Sequence, residues 1–248
     1  KNFNLMTDQL KAQQEKLIIN ERHEAWENLA RKLAHEIKNP LTPIQLTIDR
    51  LKSKYANKFE IGQKEDFTKN LKIIGKQINQ IENLVNEFSD FARMPKPILK
   101  DNNLVLLIKE NINLINELDN SILINFENDN DNIILNSDNE QLSRVFFNMI
   151  KNSIESIQEK KENSDNFKGK INIIMNDNLS YIDFIIIDNG LGFGMNNIKD
   201  VLNPYFTTKK MGTGLGLAIV NKIINDHNGT IDFIPIETGA KIQIRFIR

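Results

Sequence analysis

Apolar side chains recur every three or four residues in two stretches near the start of the chain. The first stretch covers Leu29–Leu51 and the second covers Phe67–Phe88. This spacing places the apolar side chains on one face of an amphipathic helix. Residues 55–62 interrupt the pattern and predict the turn of an antiparallel helical hairpin. Two helices alone cannot cover both stripes, so we expect a second copy of the chain to complete a dimeric four-helix bundle.

The pattern changes after a Pro-X-Pro segment at residues 95–97. Proline ends a helix and favours an extended chain, so a linker is expected here. Beyond it, helical stripes alternate with short apolar strands, which is typical of an α/β sandwich. The expected helices are 103–118, 138–160 and 214–227, and the expected strands are 122–127, 170–176, 180–187, 230–236 and 241–247.

These changes divide the 248 residues into four segments. Residues 1–22 are polar with few apolar positions and predict a connecting helix. Residues 23–94 form the hairpin, 95–101 the linker and 102–248 the α/β domain. Each of the two larger segments is long enough to bury its own core.

Composition narrows the chemistry and the partners. Lys and Arg number 32 against 33 Asp and Glu, a net charge of −1, so we expect no nucleic-acid partner. The absence of cysteine excludes disulfides, thiolate metal sites and cysteine nucleophiles. No apolar stretch approaches the length of a membrane span. The chain opens at Lys1 within a helical pattern, so we expect a fragment of a longer protein.

His35 is the candidate nucleophile of the first helix. It lies two residues from both Leu33 and Ile37, about 200° around a helix from each, so it should face solvent. Histidine changes charge near neutral pH, so a neutral imidazole able to attack an electrophile is available. The adjacent Glu36 could accept its proton, and Pro40 is expected to bend the helix one turn further on. Alone, the pair also fits a surface histidine beside a surface glutamate.

Two segments of the α/β domain carry candidate ligands. Asn148 and Asn152 share one face of an otherwise apolar helix, and amide oxygens are suitable ligands for Mg²⁺. An apolar strand ends at Asp188, whose carboxylate could accept a hydrogen bond from an exocyclic amine. Glycines that let a ligand approach the backbone follow it, at Gly190, Gly192 and Gly194. Alone, these patterns also fit hydrogen-bonding asparagines and an ordinary turn.

A third segment predicts a phosphate cradle. Gly212-Thr213-Gly214-Leu215-Gly216 leads directly into a helix, so its backbone N–H groups and the helix dipole favour an anion. The glycine spacing differs from the dinucleotide-binding fingerprint, and the Gly-Lys-Ser/Thr of a P-loop is absent. Residues 204–210, which include Thr207, Thr208 and Lys209, have the composition of a mobile nucleotide lid.

Taken in order, these segments resemble the H, N, G1, F and G2 boxes of sensor histidine kinases over residues 23–248. The run His-Glu-Ile-Lys-Asn-Pro-Leu-Thr-Pro-Ile-Gln-Leu is similar to the NtrY-like branch. The resemblance implies a HisKA-type dimerisation hairpin followed by the Bergerat, or GHKL, ATP-binding fold that gyrase, Hsp90 and MutL share. It also implies membrane-spanning and sensory segments upstream, so we expect the cytoplasmic portion of a bacterial inner-membrane sensor.

The resemblance implies a two-component phosphorelay with ATP and Mg²⁺ as cofactors. His35 would be the phosphoacceptor, Glu36 its acid/base partner, and Asn39 would position the phosphoryl group or a hydrolytic water. The phosphoryl group would pass to an aspartate in the receiver domain of a response regulator, and the reverse phosphatase activity is expected as well.

The same resemblance assigns the nucleotide site. Asn152 would ligate Mg²⁺ with Asn148 beside it, and Asp188 would read the adenine amine. The remaining residues would line the adenine pocket, the lid and the phosphates: Gly190, Gly192, Gly194, Thr207, Thr208, Lys209, Gly212, Thr213, Gly214, Leu215 and Gly216.

Two departures from the family pattern matter. The family commonly has a basic residue after the second asparagine, where this chain has Glu155, so a phosphate contact is expected from Lys151, Lys209 or Lys210. The lid, residues 201–212, is also short and leaves few residues to cover a triphosphate.

Two other functions fit parts of the pattern. The first is a non-catalytic dimeric platform whose conformation nucleotide sets, and formation of phosphoprotein would exclude it. The second is a Bergerat-fold ATPase that drives a clamp. Such a protein needs no exposed His-Glu pair on a hairpin, and acid-labile label on the protein would exclude it.

Overall fold

The computed structural model describes residues 32–55, 61–92, 94–118, 120–162, 167–193, 201–203, 206–207 and 213–248. The chain divides into two compact units, Lys1–Met94 and Pro95–Arg248. The predicted connecting helix at residues 1–22 lies outside the described residues. So do five of the predicted nucleotide-binding residues: Gly194, Thr208, Lys209, Lys210 and Gly212.

The described residues of the first unit form a pair of helices. Helix α1 covers residues 32–55 and continues through Pro40, and helix α2 covers Ile61–Ala92. Their shared apolar cluster contains Ile48 of α1 and Leu71 and Ile78 of α2, with Leu41 and Phe67 packed against it. Buried or half-buried positions recur every seven residues, at Ala34, Leu41 and Ile48 on α1 and at Leu71, Ile78, Val85 and Ala92 on α2.

A second apolar line on the same helices remains exposed. It contains Ile37, Ile44 and Leu51 of α1 and Ile74 and Ile81 of α2, whose exposed fractions lie between 37% and 46%. The stripe predicted for α1 is therefore divided in a single copy, with Leu33 and Ile37 outside the hairpin core and Ala34 inside it. A groove on this unit is lined by Pro43, Ile44, Thr47 and Ile48 of α1 and by Ile74 of α2.

The second unit is an α/β domain. Its elements in chain order are β1 (Lys100–Asn103), α3 (Leu104–Leu118), β2 (Leu123–Asn128), β3 (Ile134–Ser137), α4 (Asn139–Glu162), β4 (Lys170–Asp177), β5 (Tyr181–Asp188), α5 (Gly216–Asp226), β6 (Gly229–Pro235) and β7 (Ala240–Ile247). The main sheet has the order β2-β4-β5-β7-β6, in which β2 and β4 pair in parallel and the other three neighbouring pairs are antiparallel. Strands β1 and β3 form a separate antiparallel pair.

Strand residues alternate between the two faces of the main sheet, so each strand can direct one set of side chains toward the helices. That face packs on the helices. Its buried side chains include Ile173 of β4, Phe184 of β5 and Phe246 of β7. Phe184 meets Phe146 of α4 with ring centroids 4.8 Å apart. Each such fully buried side chain contributes about 1.5–3 kcal/mol of hydrophobic free energy. The opposite face carries an ion pair, in which Arg245 Nε lies 2.7 Å from Asp183 Oδ1.

The predicted architecture of two helices followed by an α/β domain is confirmed, and the eight predicted elements of that domain lie within two residues of those observed. Strands β1 and β3 were missed because each is only four residues long and Lys100–Asn103 is entirely polar. Within the described ranges, no helix is long and apolar enough to cross a bilayer.

Candidate functional site

The first part of the candidate site is the solvent-facing side of α1. His35 is exposed, as expected, while the preceding Ala34 is buried. Glu36 Oε1 lies 4.0 Å from Lys32 Nζ, and the Glu36 side chain is well exposed. Asn39 is also exposed and follows His35 by four residues, so the two lie on the same side of the helix. Imidazole, carboxylate and amide groups are therefore presented together to solvent.

The second part lies in the α/β domain, where α4 and the start of α5 meet. Asn148 Nδ2 donates to Arg144 O of its own helix at 2.9 Å, which orients the amide. Asn148 Oδ1 then lies 4.0 Å from where a Cβ on Gly216 would be. Asn152 follows one turn later and is half-buried. The asparagine face predicted from spacing is thus adjacent to the predicted phosphate loop.

Lys151 occupies a neighbouring, solvent-facing side of α4. Its Nζ lies 3.9 Å from Glu155 Oε1, and both side chains are substantially exposed. Glu155, which stands where the family commonly has a basic residue, therefore partly balances the positive charge of Lys151. A phosphate contact from Lys151 stays a prediction.

Asp188 ends β5 and is 5% exposed. Burial raises the pKa of its carboxyl above the ordinary 3.8, although hydrogen bonds from the Gly190 and Ala240 amides and the charge of Lys160 oppose that change. The bond from Gly190 N is 2.9 Å long. A buried carboxylate is costly unless it is paired, so an amine donor on a ligand would be a favourable partner.

The glycines after Asp188 are required by close packing of the turn against its surroundings. A Cβ on Gly190 would collide with Ser156 Oγ and would lie 2.9 Å from the Ser156 carbonyl carbon. Gly192 has φ +77°, in the left-handed region, and a Cβ there would collide with Gly239 O of the β6–β7 turn. The two glycines therefore seat the turn between α4 and that hairpin, which is the physical basis for their expected role in the adenine pocket.

The start of α5 provides a set of backbone donors. Helix α5 begins at Gly216, and its N-cap residue Leu215 makes no side-chain capping hydrogen bond. Leu215 N contacts Thr213 Oγ1 at 3.3 Å, and Gly214 has φ +71°. The first amide groups of a helix have no partner within the helix, so those of α5 could bind an anion, as in other phosphate sites at helix N-termini.

The donor set fits Mg-ATP. Among the described residues, no three acidic, histidine or cysteine side chains form a metal cluster. Mg²⁺ commonly takes few protein ligands together with substrate phosphates, and amide oxygens are suitable donors. Asn148 and Asn152 beside the α5 amides meet that requirement. Thr207 of the predicted lid is exposed, and the other lid residues named above lie outside the described ranges.

Ser156 and Lys160 were missed by the sequence reasoning. They continue the Asn148–Asn152 line at the same four-residue spacing. Leu191 N donates to Ser156 Oγ at 3.0 Å, and Lys160 Nζ donates to Asn189 O at 2.7 Å and to Gly190 O at 2.9 Å. The spacing could have identified them, but neither residue type by itself signals nucleotide chemistry.

A second missed group fastens the predicted linker to the start of α4. Ile98 N donates to Asp138 Oδ2 at 2.8 Å, and Gln141 Nε2 donates to Pro95 O at 3.0 Å. Asp138 N in turn donates to Nε2 of the buried His227 at 2.9 Å. We refer to Pro95, Ile98, Asp138, Gln141 and His227 as the linker clamp.

Two family models match the chain. The His Kinase A (phospho-acceptor) domain matches residues 25–97, which include His35. The histidine kinase-, DNA gyrase B- and HSP90-like ATPase family matches residues 137–247, which include Asn148, Asp188 and the α5 amides. The two matches follow the order in which the sequence places the hairpin and the nucleotide site.

Individual proteins agree with these matches. A putative sensor histidine kinase NtrY-like of Rickettsia felis is 40% identical over 98% of this chain, and the chain spans 40% of that protein's length. The catalytic domain of the histidine kinase ThkA is 30% identical with a TM-score of 0.53, over 60% of this chain and 95% of that domain. ThkA solved in complex with the response regulator TrrA is 26% identical with a TM-score of 0.64, over 92% of this chain and 63% of ThkA.

Both family models match in one chain, and nearly the whole ThkA catalytic domain is covered at 30% identity. With an exposed histidine on the hairpin and a candidate nucleotide site in the α/β domain, the chain belongs to the sensor histidine kinase family and is similar to its NtrY-like members.

Proposed function

We propose that this chain phosphorylates its own His35 from Mg-ATP and passes the phosphoryl group to an aspartate of a response regulator. One observation carries the proposal. A single chain presents an exposed imidazole on a helical hairpin and, in a separate unit, the asparagine face, buried carboxylate and helix amides of a nucleotide site. Each of those parts matches a chemical requirement of phosphoryl transfer.

In the proposed reaction a ring nitrogen of His35 attacks the γ-phosphorus in line with the leaving group. The new N–P bond forms as the bond to the β–γ bridging oxygen breaks, and ADP leaves. Glu36 accepts the proton lost from the imidazole. The amides at the start of α5 stabilise negative charge on the phosphates. A bound Mg²⁺, held by Asn152 with Asn148 beside it, would neutralise phosphate charge.

The proposed acceptor of the phosphoryl group is the receiver domain of a response regulator. ThkA, which covers this chain nearly end to end, was solved with such a regulator, and this supports the class of partner. The position of Asn39 one turn after His35 suits a residue that orients water for the reverse phosphatase reaction. The similarity to NtrY-like sensor kinases leads us also to expect the chain to be the cytoplasmic part of an inner-membrane sensor.

The first experiment compares the parent with His35→Ala after incubation with γ-labelled ATP and Mg²⁺. Acid-labile, alkali-stable label is expected on the parent only, because a phosphoramidate forms at an imidazole nitrogen. Nucleotide affinity should change less than about twofold, because His35 lies outside the nucleotide-binding domain. His23→Ala, which changes another of the chain's three histidines, is the matched control and should keep its label.

Label retained by His35→Ala would contradict the site assignment. Nucleotide binding by the parent without any label would support the regulatory platform instead. ATP hydrolysis without phosphoprotein would support the clamp ATPase.

A further inference from the structure

The turn that follows Asp188 is anchored from two sides. On one side the Asn189 side chain bridges to β4, with Nδ2 donating to Lys168 O at 2.9 Å and Oδ1 accepting from Lys170 N at 2.8 Å. On the other side α4 supplies Ser156 and Lys160. The position of the Asp188 carboxylate therefore depends on contacts made by the residues just after it.

Helix α4 serves both ends of the nucleotide site. Asn148, Asn152, Ser156 and Lys160 are spaced four residues apart, so they extend about 18 Å along the helix and turn slowly around it. Asn148 lies beside the start of α5, whereas Ser156 and Lys160 contact the turn after β5. One rigid helix thus sets the distance between the phosphate end and the adenine end.

We propose that Lys160 is a positioning residue for nucleotide binding. Its ammonium group donates to the carbonyl oxygens of Asn189 and Gly190 and so links the turn to α4. This link holds Asp188 in place to bind the adenine amine. The proposal rests on the proposed function, since it assumes that this site binds ATP.

The contacts of Lys160 suit this role better than that of a solvated surface lysine. Its side chain is half-buried, and Nζ lies 4.7 Å from the centroid of the Phe167 ring while it donates to both carbonyl oxygens. Hydrogen bonds from a charged donor are about twice as strong as neutral ones, and a partly buried cation is screened less by water. The positive charge also opposes the rise that burial causes in the pKa of Asp188.

The test compares three variants of the whole chain. Lys160→Met keeps an unbranched side chain of similar length and removes the cation. Lys160→Arg keeps the cation and its donors. Lys161→Met removes the neighbouring charge on the same helix, where the side chain is exposed, and is the matched control. KM for ATP, kcat of autophosphorylation and the affinity for ADP are measured for each, with circular dichroism to verify folding.

Lys160→Met is expected to raise KM for ATP and the ADP dissociation constant about 10- to 100-fold, the loss that follows from removing hydrogen bonds to a charged group. Because the chemistry occurs at the other end of the nucleotide, kcat at saturating ATP should stay within about threefold of the parent. Lys160→Arg should recover most of the affinity, and Lys161→Met should match the parent.

Ser156→Ala removes the other α4 contact with the turn and should raise KM in the same direction. An unchanged KM in folded Lys160→Met and Ser156→Ala would overturn the proposal, as would a loss in Lys160→Met that falls on kcat alone or that Lys160→Arg does not repair. Failure of the proposed function is distinguishable, because the parent itself would then bind no nucleotide or acquire no label.

Discussion

At the scale of a single residue, burial of the Asp188 carboxylate lowers the stability of the fold. This carboxyl is buried, and the pKa is raised because the charged form loses its hydration. Amides from Gly190 and Ala240 compensate only in part, since the net change is still upward. Sites that read a ligand commonly retain such a group, because the ligand completes the pairing that the protein leaves incomplete.

Asp188→Asn should weaken ADP binding about 100-fold, because the amide has one acceptor oxygen where the carboxylate has two, and Gly190 N already donates to one of those two. Isothermal titration calorimetry measures the change. An affinity equal to that of the parent would remove Asp188 from the adenine site.

The same variant tests how the Asp188 carboxyl makes the free energy of unfolding depend on pH. The folded-state pKa of Asp188 lies above 3.8, so the carboxylate lowers stability at neutral pH, and that loss disappears as the pH falls through the folded-state pKa. The free energy of unfolding of the parent, relative to Asp188→Asn, should therefore rise as the pH is lowered. Urea denaturation at several pH values tests this, and a difference that is constant with pH would contradict it.

At the scale of elements, the start of α4 joins three parts of the second unit. Asp138 accepts a hydrogen bond from Gln141 N at 3.1 Å, as an N-cap residue does, while it also accepts from Ile98 N. His227, which follows α5, accepts from Asp138 N, and its Nδ1 lies 2.8 Å from Ile223 O. The linker clamp thus attaches the chain from Pro95 onward to the α/β domain through contacts with α4 and α5.

Asp138→Ala should lower the free energy of unfolding by about 1–2 kcal/mol, the usual loss of an N-cap, and should increase amide exchange at Ile98. Although burial acts against it, the hydrogen bonds from Ile98, Gln141 and Glu140 lower the pKa of Asp138. The stabilisation is therefore present above the unfolded-state pKa and is lost as the pH falls through the folded-state pKa.

Asp131→Ala is the matched control for the clamp. The pKa of Asp131 is also lowered, by hydrogen bonds from Lys109 and Asn128, but this carboxylate lies in an exposed loop. Solvent screens such pairs, so this variant should lose much less stability than Asp138→Ala. Equal losses in chemical denaturation would contradict the predicted contribution of the linker clamp to stability.

At the scale of the whole molecule, the two described helices of the first unit leave apolar surface exposed in a single copy. The apolar positions that recur every seven residues between the two helices are covered by the hairpin itself. The second apolar line stays exposed and contains Ile37, Ile44, Leu51, Ile74 and Ile81. Repeats of seven with two apolar positions are the pattern of helices that pack in bundles. We therefore expect two copies of the chain to pair along this exposed line.

The combined Ile44→Lys and Ile81→Lys variant should dissociate that pair. The parent is expected at twice the 28.7 kDa of the single chain, and the variant at or near 28.7 kDa, by analytical ultracentrifugation at micromolar concentration. Ile73→Lys makes the same change at an exposed position outside the line and should remain paired. A parent of single-chain mass, or dissociation by Ile73→Lys, would contradict this interface.

Much of the fold and of the site follows from local patterns along the chain. The hairpin, the longer strands, the exposure of His35 and the shared face of Asn148 and Asn152 all depend on the period of a helix or a strand, which neighbouring residues specify. The order of the five boxes was sufficient to identify the family, because each box has its own residue types at its own spacing.

Only the tertiary structure decided which groups act together. Lys160 anchors the turn after Asp188, and Asp138 bonds to His227, although the partners are far apart in sequence. The burial that raises the pKa of Asp188 also depends on distant segments that pack around it. The division of the α1 stripe into a covered and an exposed line likewise depends on where α2 packs. Such contacts have no local period, because they are set by the packing of one element on another, and for this reason they could not be predicted from the sequence.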